Sequence, residues 1–165
     1  MTLPDPSTPN YGYHLSIYAA ILIFGPSQSI WRDGSPMWTR KLLGEMFGRY
    51  VPIKPNDDKN SFRPDVDSRH SNELINYALD LSEHLSTPVN YRPQYIYRQL
   101  PMQPDEQFIH PRPQVRLWHS IFITGPRKDD KAMTGELFEH IDVCKELADT
   151  IATLKLIEWL KSQTR

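Results

Sequence analysis

The sequence predicts an α+β protein, a small antiparallel sheet with two Gly-Pro-ended strands packed by three amphipathic helices. The first observation is a near-repeat. Ile21-Leu-Ile-Phe-Gly25-Pro26 returns 100 residues later as Ile121-Phe-Ile-Thr-Gly125-Pro126. Apolar, β-branched runs suit a pleated surface, and Gly-Pro ends them because proline cannot donate to a ladder and restricts the residue before it. The second observation is that apolar residues recur at helical spacing in three other stretches. The match of six residues reads as two strands of one sheet with similar punctuation, rather than as a duplication.

In chain order, residues 1–10 are rich in Pro and Ser and are expected to form a flexible arm, with residues 11–165 as a single domain. Over 13–24 the odd positions Tyr13, Leu15, Ile17, Ala19, Ile21 and Ile23 are apolar, which predicts a strand. Ser35-Pro36 supplies an N-cap and first helical residue. Trp38, Leu42, Met46 and Tyr50, joined by Leu43 and Phe47, then predict the first helix. Gly44 and Gly48 weaken it by about 1 kcal/mol each. Residues 52–67 carry no period and predict a long polar loop. Asp67 or Ser68 caps a second helix with Leu74, Ala78, Leu81 and Leu85 on one face. Residues 95–100 read as a short edge strand among prolines, and 115–124 as the second strong strand. A third helical signal covers 130–162, with Leu137, Ile141, Cys144, Ala148 and Ile151 spaced 4, 3, 4, 3. Past Thr150, Leu154, Leu156, Ile157, Trp159 and Leu160 surround the helix, so that end is either a buried plug or a surface for another chain.

Composition narrows the function. With 19 basic and 20 acidic residues there is no global field to draw in nucleic acid or anionic lipid. The single cysteine, Cys144, excludes an internal disulfide and fits a reducing compartment. The opening residues lack a signal-like pattern and the longest apolar run, 17–24, is too short to span a bilayer as a helix, so a cytoplasmic protein is expected.

The search for chemistry predicts no enzyme, no cofactor and no metal. Glu136, His140 and Cys144 would share a helix face, but i to i+8 spans about 12 Å, too far for one ion. Cys144 would also lie on the apolar stripe. His119 has apolar neighbours and reads as a satisfied core or edge histidine. Gly125-Pro-Arg-Lys-Asp-Asp-Lys131 lacks the glycine and the amide donor that a phosphate cradle needs.

Two binding readings remain. In the first, the chain is a non-enzymatic assembly or adaptor protein that associates with itself or another protein through Trp38, Met46, Phe47, Tyr50, Leu156, Trp159 and Leu160, residue types favoured at interfaces. In the second, it binds single-stranded RNA through residues 91–118, using Tyr91, Arg92, Tyr95, Tyr97, Arg98, Arg112 and Arg116. Interleaved aromatic and arginine side chains hold single strands without sequence preference. Against it stands the acidic segment 129–161, whose carboxylates would neutralise those arginines internally.

A Pro-bearing arm with Pro6 to Tyr11, a strand at 13–24, an aromatic-rich helix at 35–50 and strand-plus-helix material over 115–158 together resemble the layout of rhabdovirus-type matrix proteins. The resemblance covers about half the chain and implies a self-associating viral structural protein of host cytoplasm and virion that bridges a nucleocapsid to a membrane. The chain departs from that pattern in lacking a basic N-terminal cluster and a Pro-Pro-x-Tyr motif, which puts membrane attachment through the arm in doubt.

Overall fold

The computed structural model describes residues 3–24, 29–32, 35–42, 45–52, 62–100, 113–125 and 135–163, with residues 24–52 as backbone only. The elements run α1 (Tyr11–Phe24), β1 (Ser29–Arg32), β2 (Ser35–Leu42), β3 (Glu45–Pro52), α2 (Ser68–His84), β4 (Val89–Tyr91), β5 (Gln94–Gln99), β6 (Gln114–Thr124), β7 (Leu137–Asp142) and α3 (Lys145–Ser162). The layout is α+β: three helices beside an antiparallel sheet of β4, β5, β6 and β7, with β1, β2 and β3 forming a separate antiparallel meander. No helix among the described residues is long and apolar enough to cross a membrane.

Two sequence expectations are corrected. Residues 13–24 form a helix, not a strand. The alternation of apolar residues there is also compatible with an i, i+4 stack, and Leu15, Ala19 and Ile23 are all buried on α1. Residues 35–42 and 45–50 lie in β2 and β3, not in a helix; Trp38 pairs with Val51 and Tyr50 with Thr39. Trp38, Thr39, Phe47, Tyr50 and Val51 are residue types that favour a pleated surface, which here outweighs the helical spacing. Two parts of the matrix-protein layout, the strand at 13–24 and the helix at 35–50, therefore have the opposite secondary structure.

The third helix is shorter than expected. Leu137 and Ile141 belong to β7, and Cys144 is the N-cap of α3. The apolar wrap beyond that point is a plug: every residue from Ala148 to Leu154 is buried. A helix buried all round needs apolar or internally satisfied residues on every face, and α3 has them. It packs against β6 and β7 on one side and α2 and α1 on the other. Its threonines keep their hydroxyls bonded, Thr150 donating to the Pro64 carbonyl (2.6 Å) and Thr153 to the Asp149 carbonyl (2.5 Å).

Part of the expected loop 52–67 is core. Phe62 is fully buried in the cluster of Leu15, Leu74, Leu154 and Ile157. Beside it, Asp65 accepts hydrogen bonds from Ser16 Oγ (2.8 Å) and from Arg63 Nε and a terminal guanidinium nitrogen (2.9 and 2.8 Å). Gly12 makes room for this carboxylate, since a Cβ there would collide with it. At its other end, α1 is closed by Lys161 of α3, which donates to the Leu22 carbonyl and lies over the Tyr77 ring. A cation on the last carbonyls of a helix satisfies them and suits the helix dipole. The expected arm is also shaped: residues 5–8 make a turn, Thr8 N–H donating to the Asp5 carbonyl (2.9 Å), and Leu3 packs on the core.

Of the two caps the sequence offers for α2, Asp67 is the one used. The Asp67 carboxylate accepts from the backbone N–H of Arg69 (2.9 Å) and from its guanidinium (2.8 Å). That guanidinium contact leads the effects that hold the Asp67 carboxyl at about 2 against an ordinary 3.8. A carboxylate held low stabilises the fold above its unfolded pKa and loses that contribution as pH falls through the folded one. Asp67→Ala is expected to lower unfolding free energy by about 1 kcal/mol at neutral pH. The gap between variant and parent should close as pH falls from about 4 to about 2, read by urea titration at each pH.

Candidate interaction site

β6 organises the candidate surface. Its even-numbered residues Trp118, Ser120, Phe122 and Thr124 are buried, and they turn toward α3. There the fully buried Asp149 carboxylate gathers three donors: Trp118 Nε1 (2.6 Å), the Tyr91 hydroxyl (2.8 Å) and Lys145 Nζ (3.2 Å). Lys145 is one helical turn before Asp149, the spacing at which helix side chains meet. Tyr91 stacks on Phe122 with ring centroids 4.7 Å apart. Burial, then the hydrogen bond to and charge of Asp149, raise the Tyr91 phenol above its usual range.

The odd-numbered residues of β6 lie on the opposite face with Ile96 of β5 and with Leu137, Glu139 and Ile141 of β7, as the cross-strand partners require. On this face His119 Nε2 lies 2.7 Å from Glu139 Oε2, and Gln94 Nε2 is 3.5 Å from His119 Nδ1. An ionised carboxylate only accepts, so Nε2–H is the donor and Nδ1 the acceptor from Gln94. His119 is thus a satisfied histidine, as its setting in the sequence predicts.

β4 and β5 are one strand in a single register along β6. Tyr91 opposes Phe122 and Gln94 opposes His119, while between them Arg92 N–H donates to the Ile121 carbonyl (2.8 Å). Pro93 occupies the next position, where an N–H would point away from β6, which is where an edge strand accepts proline. On the other side, β7 pairs only with residues 118–123 of β6. Past Trp118, β5 and β6 therefore continue, among the described residues, as a two-stranded ribbon in which Tyr97 opposes Arg116, Arg98 opposes Val115 and Gln99 opposes Gln114.

The expected RNA-contacting set is partly assembled there. Tyr95, Tyr97, Arg98 and Arg116 are all exposed on the ribbon, and Arg92 is exposed at its base. The Arg116 guanidinium carbon is 4.2 Å from the Tyr95 ring centroid, and Tyr95 meets Trp118 edge-on at 4.6 Å. Tyr91 is core packing, and Arg112 lies outside the described residues. Of the expected assembly set, Leu156 and Leu160 are fully buried and Trp159 packs on Phe138, so the first two cannot meet a partner without unfolding α3. Trp38, Met46, Phe47 and Tyr50 lie in β2 and β3, their side chains outside the described ones. Sequence reasoning missed β7, because Leu137 and Ile141 also fit a helical stripe.

Glu136, His140 and Cys144 do not share a helix. His140 is in β7, 3.9 Å from Asp142, and Cys144 Sγ is 3.7 Å from the Asp65 carbonyl. Burial, ahead of the Lys155 charge, lowers the His140 pKa, and burial raises the Cys144 thiol. Among the described residues no three His, Cys, Asp or Glu side chains converge as metal ligands would. A cavity of about 410 Å³ between the end of α2 and β4 is lined by Leu79, Ser82, Glu83, Ser86, Thr87, Pro88 and Val89, with no histidine, cysteine or cation among the described residues of its wall. Comparison with protein-family models, curated proteins and solved structures finds no match for the chain.

Removing the Asp149 carboxylate leaves the buried Trp118 Nε1–H and the half-buried Tyr91 hydroxyl without their acceptor. Asp149→Ala is expected to cost about 1–3 kcal/mol, and Asp149→Asn, which keeps an acceptor oxygen, clearly less. Chemical denaturation of both variants, followed by tryptophan fluorescence, checks the order.

Proposed function

We propose that the chain is a non-catalytic assembly protein that associates with a second copy of itself by strand addition at β7. The observation that carries this reading is an edge strand showing apolar side chains. β7 pairs only with β6 among the described residues, while Leu137 and Ile141 on it, and Val143 just beyond, are 53%, 36% and 69% exposed. Natural edges are normally blunted by charge, proline or a covering element, and exposed apolar residues on an open edge favour pairing with another strand.

The ladder sets which groups of β7 face outward. Thr124 N–H donates to the Glu136 carbonyl (2.9 Å), so even-numbered residues of this segment bond inward to β6. Alternate residues then turn their N–H and C=O groups outward. Those are Leu137, Glu139 and Ile141, and Lys155 Nζ already reaches the Glu139 carbonyl (3.1 Å). An antiparallel pair of β7 strands centred on Glu139 sets Leu137 of each copy against Ile141 of the other. It also sets Glu139 against Glu139, a like-charge pair softened by His119 on each side. The apolar pairs favour association, and the Lys155 contact and paired carboxylates limit it, which describes a concentration-dependent dimer rather than an aggregate.

Light scattering behind size exclusion, run across a range of protein concentrations, tests this. The parent chain should shift from monomer to dimer, Leu137→Lys/Ile141→Lys should stay monomeric, and Glu139→Gln should tighten the dimer by about two- to five-fold in Kd, as removal of one like-charge cross-strand pair implies. A parent chain that is monomeric throughout overturns the reading, as does a dimer indifferent to the double substitution.

A further inference from the structure

We infer that the two-stranded ribbon formed by β5 and the first half of β6 is a binding site for single-stranded nucleic acid, with Tyr97 as a stacking platform and Arg92, Arg98 and Arg116 as phosphate contacts. This surface is separate from the β7 edge, and the inference stands or falls independently of dimerisation.

The first observation is electrostatic. The paired segments 89–100 and 113–125 contain Arg92, Arg98 and Arg116 and not one Asp or Glu. All three arginines are exposed, and among the described residues none forms an ion pair. Among the described residues no carboxylate of the acidic C-terminal segment pairs with them, and its buried one, Asp149, takes Trp118, Tyr91 and Lys145. A chain with net charge −1 thus presents, among the described residues, three exposed arginines and no carboxylate on one strand pair.

The second observation is aromatic. Tyr97 is 66% exposed and Tyr95 47% exposed. They lie two residues apart, so they stand on the same face about 6.6–6.8 Å from one another along the strand. Their settings differ. Tyr95 is braced, its edge against Trp118 and Arg116 across its ring at 4.2 Å. A guanidinium stacked on a ring keeps its N–H fork free for a phosphate in the plane. Tyr97, opposite Arg116 in the ladder, has the ring exposure a base needs for stacking.

Arg98 and Arg92 turn to the other face of the ribbon, so a backbone passing over its edge meets cations on both sides. An acidic peptide would use the cations and ignore the ring. A duplex keeps its bases stacked internally, so Tyr97 offers it little. A single strand uses both features.

The test is fluorescence anisotropy with the full chain and a labelled twelve-nucleotide oligouridylate, with the matching duplex and a polyglutamate peptide as comparators. Single-strand binding should weaken with salt, with a slope of log K against log salt of roughly −2 for three phosphate contacts. Arg98→Gln and Arg116→Gln should each flatten that slope by roughly 0.7. Tyr97→Ala should weaken binding about ten-fold while leaving the slope unchanged. Because Tyr97 and Arg98 are solvent-exposed, circular dichroism melts of these variants should match the parent. No binding at low salt overturns the inference, and so does tighter binding of duplex or peptide than of single strand. Binding that Tyr97→Ala leaves intact overturns the stacking role and, with it, the single-strand assignment.

Discussion

The buried Asp149 carboxylate is the constraint on which the arrangement of layers depends. A carboxylate removed from water needs donors around it, and here they come from β4, β6 and the first turn of α3. Sheet and central helix are therefore joined by directional bonds as well as by apolar contact. Apolar packing tolerates small sliding of a helix over a sheet, whereas a carboxylate that must meet an indole N–H and a phenol hydroxyl admits one position. With α3 so placed, its remaining faces receive α2, α1 and Phe62, and Lys161 reaches the end of α1.

This arrangement has a consequence for the surfaces. Trp118 is held inside by Asp149, and Lys145 lies over its ring at 5.0 Å. The same indole braces Tyr95 from below. The ribbon beyond it is thus anchored at its base by the core network, while its outer residues stay exposed. β7 is a different case. It is held by β6 on one side and by α3 beneath, and its other edge is open among the described residues. One sheet therefore offers two unlike surfaces, a basic and aromatic ribbon and an apolar edge, supported by the same helix.

The sequence alone carried more of the fold class than of the element order. Strand β6, helix α2 with its Asp67 cap, and the edge character of β5 were legible because each has a local signal: a β-branched run, a capped 4-3-4 stripe, and prolines beside tyrosines. α1 was misread because a short run apolar on all sides has no period that separates helix from strand. The meander was misread because Trp38, Leu42, Met46 and Tyr50 also fit a helical stripe. The candidate surfaces divided in the same way. Tyr97, Arg98 and Arg116 were recognisable by residue type, whereas Leu156 and Leu160 look identical in sequence whether they face a partner or the core.

What the sequence determined by itself is the set of local preferences: where α2 begins, where β6 runs, where proline confines a strand to an edge, and which residues carry charge and aromatic area. These follow from backbone sterics and side-chain chemistry within a few residues. What only the tertiary structure decided is who meets whom. Asp149 finds Tyr91 and Trp118 from 58 and 31 residues away, Asp65 finds Ser16 from 49, and among the described residues the arginines of the ribbon meet no carboxylate. Such pairings depend on the packing of α3 between the sheet and the other helices, and no local period encodes that.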